Sequence, residues 1–319
     1  MLRRMHEQQA PTLSRRTFLA LGSFSLALGA LARASQAPSP RMRLVLLGTA
    51  GGPTPKAKRA APAQAIVVGD RIYLVDCGDG VARQLALAGL PIRQLRAVFL
   101  THQHSDHNAG YGPLFLLGWA AGLSTPVDVY GPPPLASMTT QLLEAYRYDI
   151  ELRIADEGRS PLAPLVRPHE ITSPGEVLKD DRVRVTAALN DHPPIRHSFA
   201  YRFDTADRSI VISGDTRYSV NVINLARGAD VLVHEVVSRE FWERPDAPQP
   251  ASVVRHILAS HTDPVDVGRV AAAAGVRMVV LSHYVPTEGP GAPTDEEWIA
   301  AVRRHFRGKV VAGKDLMEI

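Results

Sequence analysis

Cys77 is the only cysteine in 319 residues, so no disulfide can close within the chain in any redox compartment. Long apolar runs are equally scarce. Outside the first 34 residues no stretch could cross a bilayer, which takes about 20 consecutive apolar residues. The glycines of Gly48-Thr-Ala-Gly-Gly-Pro53 lack the G-x-G-x-x-G spacing, and no helical pattern follows them, which excludes a dinucleotide fingerprint. No short repeat and no linker-like change of composition interrupts 41–319. The formal charge of +4 hints at a polyanion partner, but five of the 36 basic and one of the 32 acidic residues lie in the first 34. The rest of the chain is neutral, so bulk electrostatics give no argument for nucleic acid. What remains, 45% hydrophobic and 21% charged, is the composition of a globular domain with a large core.

The basic leader has its own logic. Ser14-Arg15-Arg16-Thr17-Phe18-Leu19 opens an apolar segment, Thr17 to Ala32, that ends at the small-residue site Ala32-Arg33-Ala34. This pattern resembles a twin-arginine export signal. The segment is short for a permanent anchor. The expected organisation is a signal peptide over 1–34, a Pro/Ser linker over 35–40 and one domain over 41–319. The expected location is periplasmic or secreted, with the twin-arginine machinery as a partner and no stable membrane span after cleavage.

One stretch organises the domain: Val98-Phe-Leu-Thr-His-Gln-His-Ser-Asp-His107. Apolar residues 97–100 predict a buried strand that delivers His102, His104, Asp106 and His107 into the following turn. On an extended backbone residues i and i+2 point the same way, so His102 and His104 can grip one ion. Asp106 and His107 can then begin a second site. Imidazole and carboxylate suit zinc first, with manganese or iron as alternatives.

Alternation and turn residues predict further strands at 43–47, 64–68, 71–76, 126–130, 182–189, 198–203, 209–213, 230–233, 278–281 and 309–312. Helical periodicity is expected over 81–88, 111–122, 137–148, 220–226, 266–274 and 294–306. Residues 149–173, polar and broken by proline, read as a long irregular insert, a candidate lid or homodimer contact. Two sheets face to face with helices outside is the most economical packing. Three more ligand candidates follow apolar strands: His192, Asp215 and His283. Singly, each reads as readily as a turn or a cap. Together with the first motif they complete a dinuclear centre.

The order His-x-His-x-Asp-His, then His, Asp and His, resembles the metallo-β-lactamase superfamily across essentially all of 41–319. The resemblance implies an α/β fold, an αββα sandwich with two divalent metal ions at the edge of its sheets. It gives His102, His104 and His192 to the first ion, Asp106, His107 and His283 to the second, and Asp215 to both. Cys77 is then a small buried residue under the site and not a ligand. Val233-His-Glu-Val236 and Ser260-His-Thr262, with Tyr201-Arg-Phe203, are similar to the ribonuclease Z branch. That likeness implies His261 as proton donor to a leaving group and His234 as its support; on the chemistry of a dinuclear site, Asp106 is expected to bind the second ion and also to orient the attacking hydroxide.

One departure limits this reading. The branch carries a long arm for transfer RNA, and Asp204-Thr-Ala-Asp-Arg-Ser209 leaves no room for it. The missing arm, the neutral body and the leader together lead to the expectation of an exported hydrolase of a small phosphodiester or sulfate ester. It is similar to arylsulfatase-like and phosphodiesterase-like members, and nucleic acid is not expected as a partner. A lactonase or thioesterase of the same fold, or a non-catalytic metal-binding member, is the alternative.

Overall fold

The computed structural model describes residues 41–319. The signal peptide and linker expected over 1–40 lie outside the described residues. Two seven-stranded sheets pack face to face. The first runs, edge to edge, β14 (Met317–Glu318), β1 (Met42–Gly48), β2 (Ala63–Val68), β3 (Arg71–Val75), β4 (Leu95–Phe99), β5 (Val127–Gly131) and β6 (Val166–Glu170). The second runs β13 (Lys309–Ala312), β12 (Met278–Val285), β11 (Val231–Val237), β10 (Ser209–Ile212), β9 (Phe199–Asp204), β8 (Arg184–Leu189) and β7 (Gly175–Lys179). Each sheet is antiparallel in its early strands and parallel in its later ones. The parallel strands end together, and the loops beyond those ends carry the chemistry.

Alternation along the strands divides the apolar residues between two surfaces. Leu44, Ile66, Tyr73, Phe99, Phe203 and Ile210 point between the sheets and form the inner core. The opposite face of the first sheet is covered by α1 (Val81–Leu87), α3 (Tyr111–Ala120) and α4 (Leu135–Ala145), which contribute Leu85, Tyr111, Leu114 and Leu135 to a second core. The outer face of the second sheet is covered by α6 (Val220–Leu225), α9 (Pro264–Ala274) and α10 (Asp295–Arg303), through Val222, Val267, Val270 and Trp298. The result is the αββα sandwich. Short helices α2 (Ser105–Asn108), α7 (Arg239–Trp242) and α8 (Ala251–Ser260) lie around the strand ends.

The region expected to be an irregular insert is largely regular. Arg147–Glu157 is a helix, α5, and 166–170 is the edge strand β6. Only Ile150 and Ile154 of α5 pack against the first core, while Arg153 bridges Asp149 and Glu157 one turn either side on the exposed face. Pro168, which argued against a strand, is tolerated because β6 is an edge. Helix α8 also went unread in the sequence. The β9–β10 connection is as tight as expected, closed by Thr205 and Arg208, with no arm.

Candidate metal centre

Each site residue is placed by a strand end. Strand β4 delivers Thr101 and His102; His104 caps the single turn α2, which turns Asp106 and His107 back under the strand. His192 follows β8, and Asp215 follows β10. His283 lies within β12, at a bulge where the single residue Glu235 of β11 faces both Ser282 and His283. His283 takes a left-handed backbone, φ 48°, strained for a residue other than glycine. The bulge re-aims Glu235 and His283 toward the strand ends. Gly51 packs against them so closely that a Cβ would run into the His283 ring and the Tyr284 carbonyl.

These side chains form two adjoining clusters: His102, His104, His192 and Asp215, and Asp106, His107, His283 and Asp215. In the first, Nδ1 of His104 lies 3.0 Å from Nε2 of His102 and 3.2 Å from Nε2 of His192. In the second, Oδ2 of Asp215 lies 3.3 Å from Nε2 of His107 and 3.2 Å from Nε2 of His283, and Oδ2 of Asp106 is 3.3 Å from the latter. Ligands at about 2.0–2.1 Å around a tetrahedral ion are separated by about 3.3 Å, so the spacing fits coordination.

The hydrogen bonds behind the rings make the same point. His107 donates from Nδ1 to Asp76 at 2.8 Å, and His192 donates from Nδ1 to the Ser260 carbonyl at 3.0 Å. Thr101 gives its hydroxyl hydrogen to Asp76 and so accepts from Nδ1 of His102 at 3.0 Å. Each of the three rings therefore turns an Nε2 lone pair into its cluster. Lone pairs facing one another at such distances are satisfied by a proton or by a metal cation between them. Oδ1 of Asp215 is buried and without a partner, which a second ion beside it would remedy. The residues present fit two divalent ions.

Electrostatics agree. Burial holds His102 well below the usual histidine range and draws His104 and His192 down to about 4, so all three are neutral ligands. Burial alone would lower His107 too, but Asp215, Asp76 and Asp106 hold it well above its usual value. Burial would raise Asp215 and Asp106, yet His283 and His107 keep both well below the carboxylate range. Anionic oxygen and basic nitrogen share a dry cavity, which is where a metal is most strongly held.

The structure brings seven of the nine named site residues into the clusters and sets an eighth, His261, against them. The His261 ring stacks on His283 with centroids 5.6 Å apart and meets His192 edge-on at 5.3 Å. The ninth, His234, is elsewhere. Strand alternation turns it to the side of Leu232 and Val236, away from the clusters, where Nδ1 bonds the Glu235 carbonyl. The group against His261 is the next residue, Glu235, whose Oε2 lies 3.3 Å from Nδ1 of His261. Its Oε1 accepts from the backbone N–H groups of Thr262 and Thr216. Burial, with Asp215 nearby, lifts Glu235 well above the carboxylate range, and burial draws His261 down to about 4. Glu235, Asp76 and Thr101 were missed in the sequence. The signal for Glu235 was its parity with Val233, which faces the inner core.

Beside the clusters opens a cavity of ≈ 430 Å³. Its apolar wall includes Phe241, Trp242, Val253, Ile257 and Val285; Lys56 and His256 stand among its polar groups. Cys77 is fully buried in the core and is no ligand.

Comparison with known proteins agrees with this geometry. Residues 71–284 match the Beta-lactamase superfamily domain. Ribonuclease Z of Mycobacterium sp. (strain KMS) is 36% identical over 280 residues, covering 87% of this chain and 95% of that protein. Ribonuclease Z of Mycobacterium bovis (strain BCG / Pasteur 1173P2) is 34% identical over 281 residues, covering 87% and 98%. Among solved structures, human tRNase Z, short form, superposes with a TM-score of 0.64 at 21% identity, over 87% of this chain and 98% of that one. The metallo-beta-lactamase fold protein YhfI from Bacillus subtilis does so with 0.63 at 22%, over 87% and 98%. These relatives overturn the expectation that nucleic acid is not a partner. Net charge averages over a whole surface, whereas a nuclease site draws its attraction from local cations, metal ions included. With its metal-dependent hydrolase fold and paired ligand clusters, the chain belongs to the metallo-β-lactamase superfamily and counts ribonuclease Z proteins among its homologues.

Proposed function

We propose that this protein is a dinuclear metal-dependent phosphodiesterase, with RNA ends and aryl phosphodiesters as its substrate class. The observation that carries the reading is the Glu235–His261 pair, set over both clusters at the cavity wall. A placed acid serves a leaving group that departs poorly without a proton. Alkoxide leaving groups of phosphodiesters need one.

Two divalent ions bound there supply Lewis-acid polarisation of the ester oxygens and lower the pKa of water, zinc being best matched to the donor set. The protein supplies the rest. His102, His104, His192, Asp106, His107, Asp215 and His283 hold the ions. Asp76 and Thr101 fix the tautomers of His107 and His102. Glu235, itself held by two backbone N–H groups and kept protonated by burial, donates to Nδ1 of His261, so that Nε2 carries the hydrogen it hands to the departing oxygen. Phe241 and Trp242 offer flat apolar surface to a base or aryl ring. Lys56, half-buried in the same wall, offers a cation to a phosphate oxygen.

Hydrolysis of a panel by the metal-loaded protein tests the reading. Expected is turnover of a short RNA and of bis(4-nitrophenyl) phosphate above that of an aryl sulfate, a lactone or a β-lactam. Efficient lactone or lactam hydrolysis with neither phosphodiester cleaved would contradict it. Export is proposed alongside, on the strength of Arg15, Arg16 and the apolar segment behind them. Replacing both arginines by lysine should leave the full-length chain in the cytoplasm; unchanged export of that variant would refute this part.

A further inference from the structure

His256 has no part in the clusters or in the proton-donating pair, yet it lines the same cavity beside them. It lies on α8, and its ring centroid is 5.9 Å from that of His104 and 6.1 Å from that of His192. Its protonation pattern follows from its neighbour. Ser260 gives its only hydroxyl hydrogen to the Pro193 carbonyl at 2.6 Å. Toward His256, whose Nδ1 is 3.4 Å away, the Ser260 oxygen can therefore only accept. Nδ1 of His256 carries the hydrogen, and Nε2, at the far end of a ring that lines the cavity, is left with a lone pair. A lone pair there calls for a hydrogen-bond donor on the substrate.

His256 and His261 come from one helix and its C-cap, five residues apart, and both meet the ring of His192. Both also line the cavity, so a leaving oxygen held at His261 places the hydroxyl of its neighbouring carbon in the same cavity as His256. Resting on the phosphodiesterase reading, we infer that His256 is a specificity residue that accepts a hydrogen bond from a hydroxyl next to the leaving oxygen, as in the 2′-hydroxyl of a ribonucleoside. The 2′-hydroxyl is the group by which a protein distinguishes RNA from DNA at one position. Phe241 and Trp242 on the apolar wall suit the base of the same nucleoside.

Binding tests this without requiring turnover. The metal-loaded protein is titrated by calorimetry with adenosine and with 2′-deoxyadenosine. Adenosine should bind roughly tenfold more tightly, the scale of one hydrogen bond. In His256→Ala the two ligands should bind within about twofold of each other. His256→Gln, which keeps an acceptor, should retain part of the preference. Equal binding of the two ligands to the unaltered protein would overturn the inference, as would a preference that survives in His256→Ala. Loss of bound metal from His256→Ala would also overturn it, by making the residue part of the metal centre. If the ribose preference appears while no phosphodiester is cleaved, the specificity role stands and the proposed reaction falls.

Discussion

The two sheets contribute to one centre in different ways. The first sheet gives four ligands from a single turn, His102 to His107, all beyond one strand. The second gives His192, Asp215 and His283 from three separate strand ends, along with Glu235 and His261. A contiguous motif was legible because the period of an extended strand fixes which side chains converge. Scattered residues converge only through topology. His192 and His283 are 91 positions apart in the chain, and no local pattern links them. On the proposed reading the halves differ in role: the first sheet mainly holds metal, whereas the second also carries the groups that meet the substrate.

That division can be broken by substitution, beginning with the second sheet. His261→Ala should lower kcat by roughly 10²–10⁴-fold for an alkoxide leaving group, with bound metal unchanged. The loss should shrink along a series of aryl leaving groups as their pKa falls. A constant loss would mean that His261 is not the acid. Glu235→Gln should cost less, about 10²-fold, because the ring keeps a hydrogen-bonded neighbour but loses the carboxyl that can pass it a proton. A change within twofold would remove Glu235 from the reaction.

In the first sheet the sharper test lies behind the ligands. Asp76→Asn removes the carboxylate that accepts from His107, and metal affinity should fall by about 10–100-fold. Competition against a chromophoric chelator reads this directly. Unaltered affinity would mean that the ring needs no outer partner. The smallest effect is expected at His234, which strand parity turns away from the centre. His234→Asn should change kcat by less than about threefold. A loss as large as that of His261→Ala would restore the role that the sequence suggested.

The sandwich, the inner core strands and the seven residues that gather in the two clusters could be read from the chain, because burial and alternation leave local marks. Three features could not. Helix α5 has no fully buried residue and sets only Ile150 and Ile154 against the core, too short an apolar stripe to stand out among its charges. Strand β6 contains Pro168 and is permitted only by its edge position, which belongs to the sheet and not to the segment. His234 and Glu235 are adjacent and both buried; which of them meets His261 depends on the bulge between β11 and β12. The nucleic-acid expectation failed for a related reason. Charge was summed over the body, while the site concentrates its charge in one buried pocket that a total does not resolve.

The account stands on a single centre assembled across both sheets, with Asp215 shared by its two halves. Elemental analysis of the purified, metal-loaded protein, side by side with Asp215→Ala, measures this most directly. The account predicts two ions per chain in the unaltered protein and at most one in the variant. One ion or none in a folded, unaltered protein, or two tightly held ions in the absence of Asp215, would contradict it.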